Sequence, residues 1–159
     1  MKYLMLAIVL LIAISCDTPQ KQSVELTENQ GSGYDSLLAE KVGADSYGMR
    51  KYVFAYLKEG PNRDQDSLQA AQLQRAHMDN IVRLAKDGKL VLAGPFMDNH
   101  EVKGIYVFAV ETIEEARALT NTDPAIQAGR LEMELHPWYG SAGLMMVNEL
   151  HTQITKEEI

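Results

Sequence analysis

Cysteine is nearly missing from this chain. Its 159 residues hold one, Cys16, so no intramolecular disulfide can form and whatever folds must be held by its own core. Aromatic residues are sparse, with one Trp and three Phe. Positive charge is in short supply as well, 15 Lys and Arg against 22 Asp and Glu, for a formal net charge of -7. A phosphate backbone needs a clustered basic footprint, and its lack here excludes nucleic acid as a partner. No HExxH, CxxC or phosphate-loop pattern occurs, so neither a metal nor a cofactor is expected. The apolar run at residues 4–14 falls short of the ~20 residues a membrane-spanning helix requires.

That short run is informative in another way. Lys2 supplies a positive start, residues 4–14 an apolar stretch of signal-peptide length, and Ala13-Ile14-Ser15-Cys16 has the form of a bacterial lipobox. Cleavage before Cys16 would leave its thiol for a diacylglycerol, each buried acyl methylene contributing about 0.8 kcal/mol to membrane residence. An ordinary secretory signal with an incidental cysteine is the alternative. The expectation is a lipoprotein-type signal peptide over residues 1–15, lipidation at Cys16, and a place in the bacterial cell envelope, lipid-anchored or secreted to the periplasm. Residues 16–47 are rich in Gln, Ser, Glu, Thr, Asn and Gly without a sustained apolar period, and read as a flexible tether. Ser36-Leu37-Leu38-Ala39 could nucleate a helical turn, but nothing nearby in sequence would hold it.

A single α+β domain is expected over residues 48–140. Residues 49–58 (MRKYVFAYLK) are β-branched and aromatic and stop at Gly60-Pro61, so they form a first strand that is apolar on both faces. Leu73, His77, Ile81 and Leu84 then fall on one helical stripe within residues 64–86, which Gly88 ends. Residues 89–93 make a short buried strand, and residues 105–110 (IYVFAV) a third, apolar throughout and needing cover on both sides. Thr112 and Glu115 form a capping box for a second helix. Asp123 and Pro124 suit the N-cap and first position of a shorter one that Gly129 closes. In the last strand, residues 131–138, Leu131, Met133 and Leu135 alternate with Glu132, Glu134 and His136, the pattern of an edge strand with one dry face. The order β-α-β-β-α-β defines a ferredoxin-like sheet with both helices on one side. Its other side is apolar too, and a second copy stacking its own sheet about 10 Å away would make a dimeric α+β barrel with a cleft at the junction. Residues 141–159 extend the domain, and Leu144-Met145-Met146-Val147 could pack a further strand or helix against it.

These elements resemble the YCII-related domain family. The likeness lies in the first strand, His77-Met78 in the first helix, Asp87-Gly88-Lys89-Leu90, Ala93-Gly94-Pro95 and Thr112-Ile113-Glu114-Glu115-Ala116. Asp123-Pro124, Gly129 and a closing strand that ends at Pro137 complete it. It covers residues 49–138, and its specificity lies in order and spacing together. It implies a ferredoxin-like dimeric barrel with a His/Asp active site in the cleft between the sheets, the histidine being His77 and the aspartate Asp123. A related member is a dehydrochlorinase of a chlorinated hydroxyquinol, and muconolactone isomerase is a neighbour in fold. The signal, the tether and the longer tail depart from the family pattern and weigh against a catabolic cytoplasmic role.

Each candidate residue has a plainer reading beside the chemical one. His77 on an apolar stripe would be desolvated, and a neighbouring carboxylate could fix its tautomer for proton transfer; alternatively it is a core histidine satisfied by a backbone carbonyl. Asp123 is equally an N-cap. Asp87, ten residues further along the same helix, would stand about 15 Å from His77. Glu132, Glu134 and His136 share a strand face and a metal-compatible spacing, but read better as solvated edge charges. Tyr52, Tyr56, Phe96 and Trp138 could line a pocket for a planar ligand or pack a core. The expected function is acid/base elimination or isomerisation of a small cyclic or phenolic compound by His77 and Asp123. A non-catalytic small-ligand-binding module and a dimerisation module are the alternatives.

Overall fold

The structure, a computed structural model, describes residues 33–98 and 100–157. The expected signal segment, Cys16 and the tether up to residue 32 lie outside the described residues. One compact unit spans Tyr34–Ile159. No helix among the described residues is long and apolar enough to cross a membrane.

Strand β1 (Met49–Glu59) leads into helix α2 (Ser67–Lys86), then β2 (Leu90–Pro95) and β3 (Val102–Phe108). Helices α3 (Ile113–Thr120) and α4 (Pro124–Gln127) precede β4 (Leu131–Ser141). The sheet order is β2-β3-β1-β4 with every neighbouring pair antiparallel, which is the ferredoxin-like arrangement. Local chemistry sets the boundaries. Asp66 caps α2 in a capping box with Gln69, so the helix starts at Ser67, three residues later than the start expected at residue 64. Gly88, at φ 67°, turns the chain out of α2 in the left-handed region, where a side chain would be strained. The capping box of α3 forms between Thr112 and Glu115 as read.

The helix-bearing face of the sheet holds the main core: Val53 and Ala55 from β1, Tyr106 and Phe108 from β3, Leu90 from β2, with Leu84 of α2 and Ala116 of α3 packed down on them. Ile81 and Leu119 add partly buried cover, so both helical stripes meet the sheet as their spacing required.

The opposite face is not bare within one copy. A 3-10 helix, Ala142–Met146, folds back after β4, and its Leu144 and Met145 pack against Tyr52, Val91 and Val107, all essentially buried. A register shift in the β2/β3 pairing between Leu90 and Leu92 sets Val91 and Leu92 both against this second cluster. Helix α5 (Val147–Ile154) continues the tail, and Asn148 donates its side-chain N–H to Leu90 O at 2.8 Å, binding the tail to β2. Cover is therefore partial. Tyr56 and Trp138 remain 37% and 38% exposed on this face, Trp138 directly beside the covered Tyr52, with Phe54 half-buried near them.

Residues 36–42, which the sequence placed in the tether with nothing to hold them, form helix α1 (Ser36–Val42). What holds it is partly local and partly distant in sequence. Asp35 caps it by accepting from Leu38 N, Gly43 ends it, Val42 is buried, and Arg50 donates to Val42 O at 2.9 Å. Lys41 pairs with Glu149 of α5 at 2.8 Å. Asp45 accepts from the amides of Tyr47 and Met49 and from the Tyr139 hydroxyl, and these bonds, Tyr139's foremost, hold its carboxyl below the usual range.

A buried His–Asp pair as candidate active site

Helix α2 delivers His77 from its buried stripe, and the α3–α4 junction delivers Asp123 opposite it. His77 Nδ1 and Asp123 Oδ2 lie 2.5 Å apart, and Asp123 is wholly buried. The pair read from the sequence is thus a direct contact. Asp123 is also the N-cap of α4, its other oxygen accepting from Ala125 N at 2.9 Å. The capping role and the pairing role divide between the two carboxylate oxygens, so neither displaces the other.

The third member is Tyr106, whose hydroxyl sits 3.3 Å from His77 Nε2 and whose ring stacks beside the imidazole at 6.3 Å. A carboxylate can only accept, so Nδ1 carries a proton, and in the neutral imidazole Nε2 then presents a lone pair to which Tyr106 donates. Burial, reinforced by the charge of Asp123, pushes the Tyr106 phenol well above its usual range, so it stays a neutral donor. Tyr106 was not singled out from sequence, although a signal existed. It carries the one hydroxyl in an apolar strand needing cover on both sides, and a buried hydroxyl must find a partner.

Asn80 and Thr122 were missed too. Arg83 donates to Asn80 Oδ1 at 2.7 Å and to Thr122 Oγ1 at 2.8 Å, tying α2 to the residue just before Asp123. This tie fixes the His–Asp distance from outside the pair.

His77 and Tyr106 line a cavity of about 400 Å³ between α2 and the sheet, together with Leu57, Met78, Ile81 and Ala93. Its location corrects the expectation of a site in a cleft between two sheets. Tyr106 pairs in register with Ala55 and Ala93 and packs in the helix-side core, so alternation turns it away from the aromatic face.

The other candidates stand elsewhere. Asp87 is exposed and pairs with Arg83 at 3.3 Å. Glu134 binds Lys58 at 2.6 Å, which holds its carboxyl low, and accepts from His136 at 3.0 Å. Among the described residues no group of three His, Cys, Asp or Glu could hold a metal ion. Tyr52, Tyr56 and Trp138 belong to the far face, where Tyr52 donates to Ser141 O at 2.9 Å, and Phe96 is exposed; none lines the cavity.

The fold and the site together define a ferredoxin-like α+β domain with a histidine–carboxylate pair sealed under its first long helix. Residues 51–139 match the YCII-related domain, and the chain belongs to that family. It is similar to the uncharacterized protein YjpA of Bacillus subtilis (strain 168), 31% identical over 62 residues, which is 39% of this chain and 71% of that protein. Among solved structures it is similar to 5-chloro-2-hydroxyhydroquinone dehydrochlorinase (TftG) from Burkholderia phenoliruptrix AC1100, in complex with 2,5-dihydroxybenzoquinone. That likeness has a TM-score of 0.42 and 20% identity, and covers 55% of this chain and 92% of the other.

The two roles of Asp123 can be separated by substitution. Asp123→Asn keeps an oxygen for Ala125 N, whereas Asp123→Ala removes the cap and strands the imidazole N–H. Losing the cap costs about 1 kcal/mol, and the unpaired buried donor about 1–3 kcal/mol more. Denaturant unfolding should therefore rank the alanine variant below the asparagine one by at least ~1 kcal/mol; equal midpoints would contradict the division of labour between the two oxygens.

Proposed function

We propose that this chain is a small-molecule enzyme in which His77 acts as general acid and base and Asp123 as its orienter, acting by elimination or isomerisation on a small cyclic or phenolic compound. The observation that carries the reading is the 2.5 Å contact between His77 Nδ1 and a fully buried Asp123, at the wall of a cavity of about 400 Å³. With Nδ1–H held by the carboxylate, Nε2 is the atom that takes a proton from a substrate C–H or O–H. Asp123 stabilises the imidazolium that results. In an elimination the bonding pair left on carbon forms the new double bond, and the leaving group departs with its own pair. In an isomerisation Nε2–H returns the proton to a different carbon. For Nε2 to act, the Tyr106 hydroxyl turns its single hydrogen from Nε2 to a substrate oxygen, where, held neutral, it meets the charge that gathers as the proton leaves.

We propose further that two copies stack their partly covered sheet faces, placing Phe54, Tyr56 and Trp138 at the junction. The support is a cluster of large aromatic side chains, with Phe54 and Trp138 centroids at 6.1 Å, left half open to water on one copy. The signal-like residues 1–15 and the lipobox form around Cys16 support a bacterial envelope location, with a lipid anchor in place of a membrane-spanning helix.

Three measurements test these readings. His77→Asn retains a side-chain N–H for Asp123 but has no basic nitrogen beyond it. It should keep the thermal midpoint within a few degrees and lose turnover by about 10²–10⁴-fold, assayed by product formation on a panel of phenolic and cyclic compounds. A variant that keeps its activity would end the acid/base role, and ligand-induced stabilisation without product would mark a binding module. Light scattering should give twice the chain mass for the wild type and a smaller species for Trp138→Glu; a wild-type monomer refutes the stacked sheets. Mass spectrometry of the mature N-terminus should show an acylated Cys16 that Cys16→Ser abolishes.

A further inference from the structure

The chain carries 22 acidic and 15 basic residues, yet around the cavity the balance reverses. Arg63, Lys103 and Arg130 line it with one carboxylate, Glu59. Glu59 is shared, lying 3.3 Å from Lys103 Nζ and 3.8 Å from Arg63 Nη2, and Arg130 donates to the neutral amide oxygen of Gln65 at 3.0 Å. Glu59 is thus the one carboxylate in the lining, with Asp123 a second behind His77, against two guanidinium groups and the Lys103 ammonium.

The backbone brings the two arginines together. Gly60 N donates to Arg130 O at 2.9 Å, Asn62 N to Gly129 O at 2.9 Å, and Arg63 Nη1 to Arg130 O at 3.2 Å. The approach leaves no room for a side chain, since a Cβ on Gly60 would come within 2.2 Å of Gly129 O. The loop after β1 and the turn before β4 are thereby locked side by side, with a guanidinium on each.

Burial separates the two ends of the cavity. Arg63 and Glu59 are about half exposed, whereas His77 and Tyr106 are buried. The rest of the lining is largely apolar, Leu57, Met78, Ile81 and Leu131 among it, with Gln74 a polar exception. A ligand matching this profile has a flat or compact apolar body and an anionic group at the solvent end.

We infer that the cavity takes a small cyclic carboxylate, its anionic group held by Arg63 and Arg130 with Lys103 beside them and its ring lodged toward His77 and Tyr106. The inference rests on the proposed catalytic reading only in assigning the reacting end of the ligand to His77. Carboxylate fits the donors because a guanidinium presents paired N–H groups that match its two oxygens. The anion would also bind without metal or cofactor contributions, through groups the chain already holds.

The test compares 4-hydroxybenzoate with its neutral counterpart 4-hydroxybenzamide by calorimetric titration of the full chain. The benzoate should bind saturably, more weakly as salt is raised, and at least tenfold more tightly than the amide. Arg63→Gln and Arg130→Gln should each weaken the benzoate by roughly ten- to a hundredfold and leave the amide unchanged. Arg63 is exposed, so its variant carries the test should Arg130→Gln fail to fold. Equal binding of the two probes, benzoate affinity indifferent to both arginines, or no saturable binding of either would overturn the inference. His77→Asn separates the two ideas, because the preference for benzoate over amide is set at the arginine end and should survive it. Charge-dependent binding alongside turnover that survives His77→Asn would defeat the catalytic reading alone, and charge-blind binding with His77 still essential would defeat the present inference alone.

Discussion

A carboxylate taken wholly out of water keeps its charge only where hydrogen bonds and an opposing group replace the solvent it has lost. Asp123 sits at that limit, and its immediate surroundings are arranged around the requirement. One oxygen is met by the first turn of α4, the other by His77, and the histidine's remaining nitrogen meets Tyr106. Three elements that are far apart in sequence, α2, β3 and the α3–α4 junction, are thereby brought to one point. The Arg83 bridge to Asn80 and Thr122 clamps the same junction from the other side. Removing any one partner leaves a buried polar atom unsatisfied, so the arrangement is self-consistent or absent.

The sheet answers a second constraint by unequal means on its two sides. Helices cover one face in full, and the chain's own tail covers part of the other, with Leu144 and Met145 standing over Tyr52, Val91 and Val107. That partial cover reduces the apolar area a second copy would have to bury. It leaves to the proposed junction the part of this face where Phe54, Tyr56 and Trp138 lie.

Much of this was legible before the fold was known. Alternation and helical spacing place the four strands and the long helix, because periodicity depends only on which side of an element meets the core. The capping box at Thr112 and the Asp123-Pro124 pair locate two helix starts to the residue, since a cap is a local interaction. The His–Asp pairing needed the family resemblance, as nothing in spacing alone brings position 77 to position 123. Tyr106 and Thr122 were missed because His77, Asn80 and Arg83 lie far from them in sequence, and Asn80, though Arg83 is close to it, matters only through Thr122. Helix α1 was missed for the same reason: Ser36–Val42 has little intrinsic stability, and Arg50 and Glu149, which hold it, are read from structure alone. The cleft between sheets was a misplacement of side. Tyr106 lies between Ile105 and Val107, and assigning a pocket to one face of an all-apolar strand requires knowing which residues the helices meet.

That alternation has a mechanical consequence. Tyr106 points into the helix-side cavity while its neighbours Ile105 and Val107 belong to the aromatic face, so one strand serves both. The two faces share no side chain along β3, only its backbone, and that backbone is pinned on both edges by β1 and β2. The tail that covers the aromatic face reaches α2 directly, Asn148 donating to Ala85 O at 3.3 Å, and a change in that cover can otherwise reach the site by shifting the β3 main chain. Doing so would strain ladders on both sides at once. The geometry of the pair itself is set locally, by α2 above it and the cap of α4 beside it.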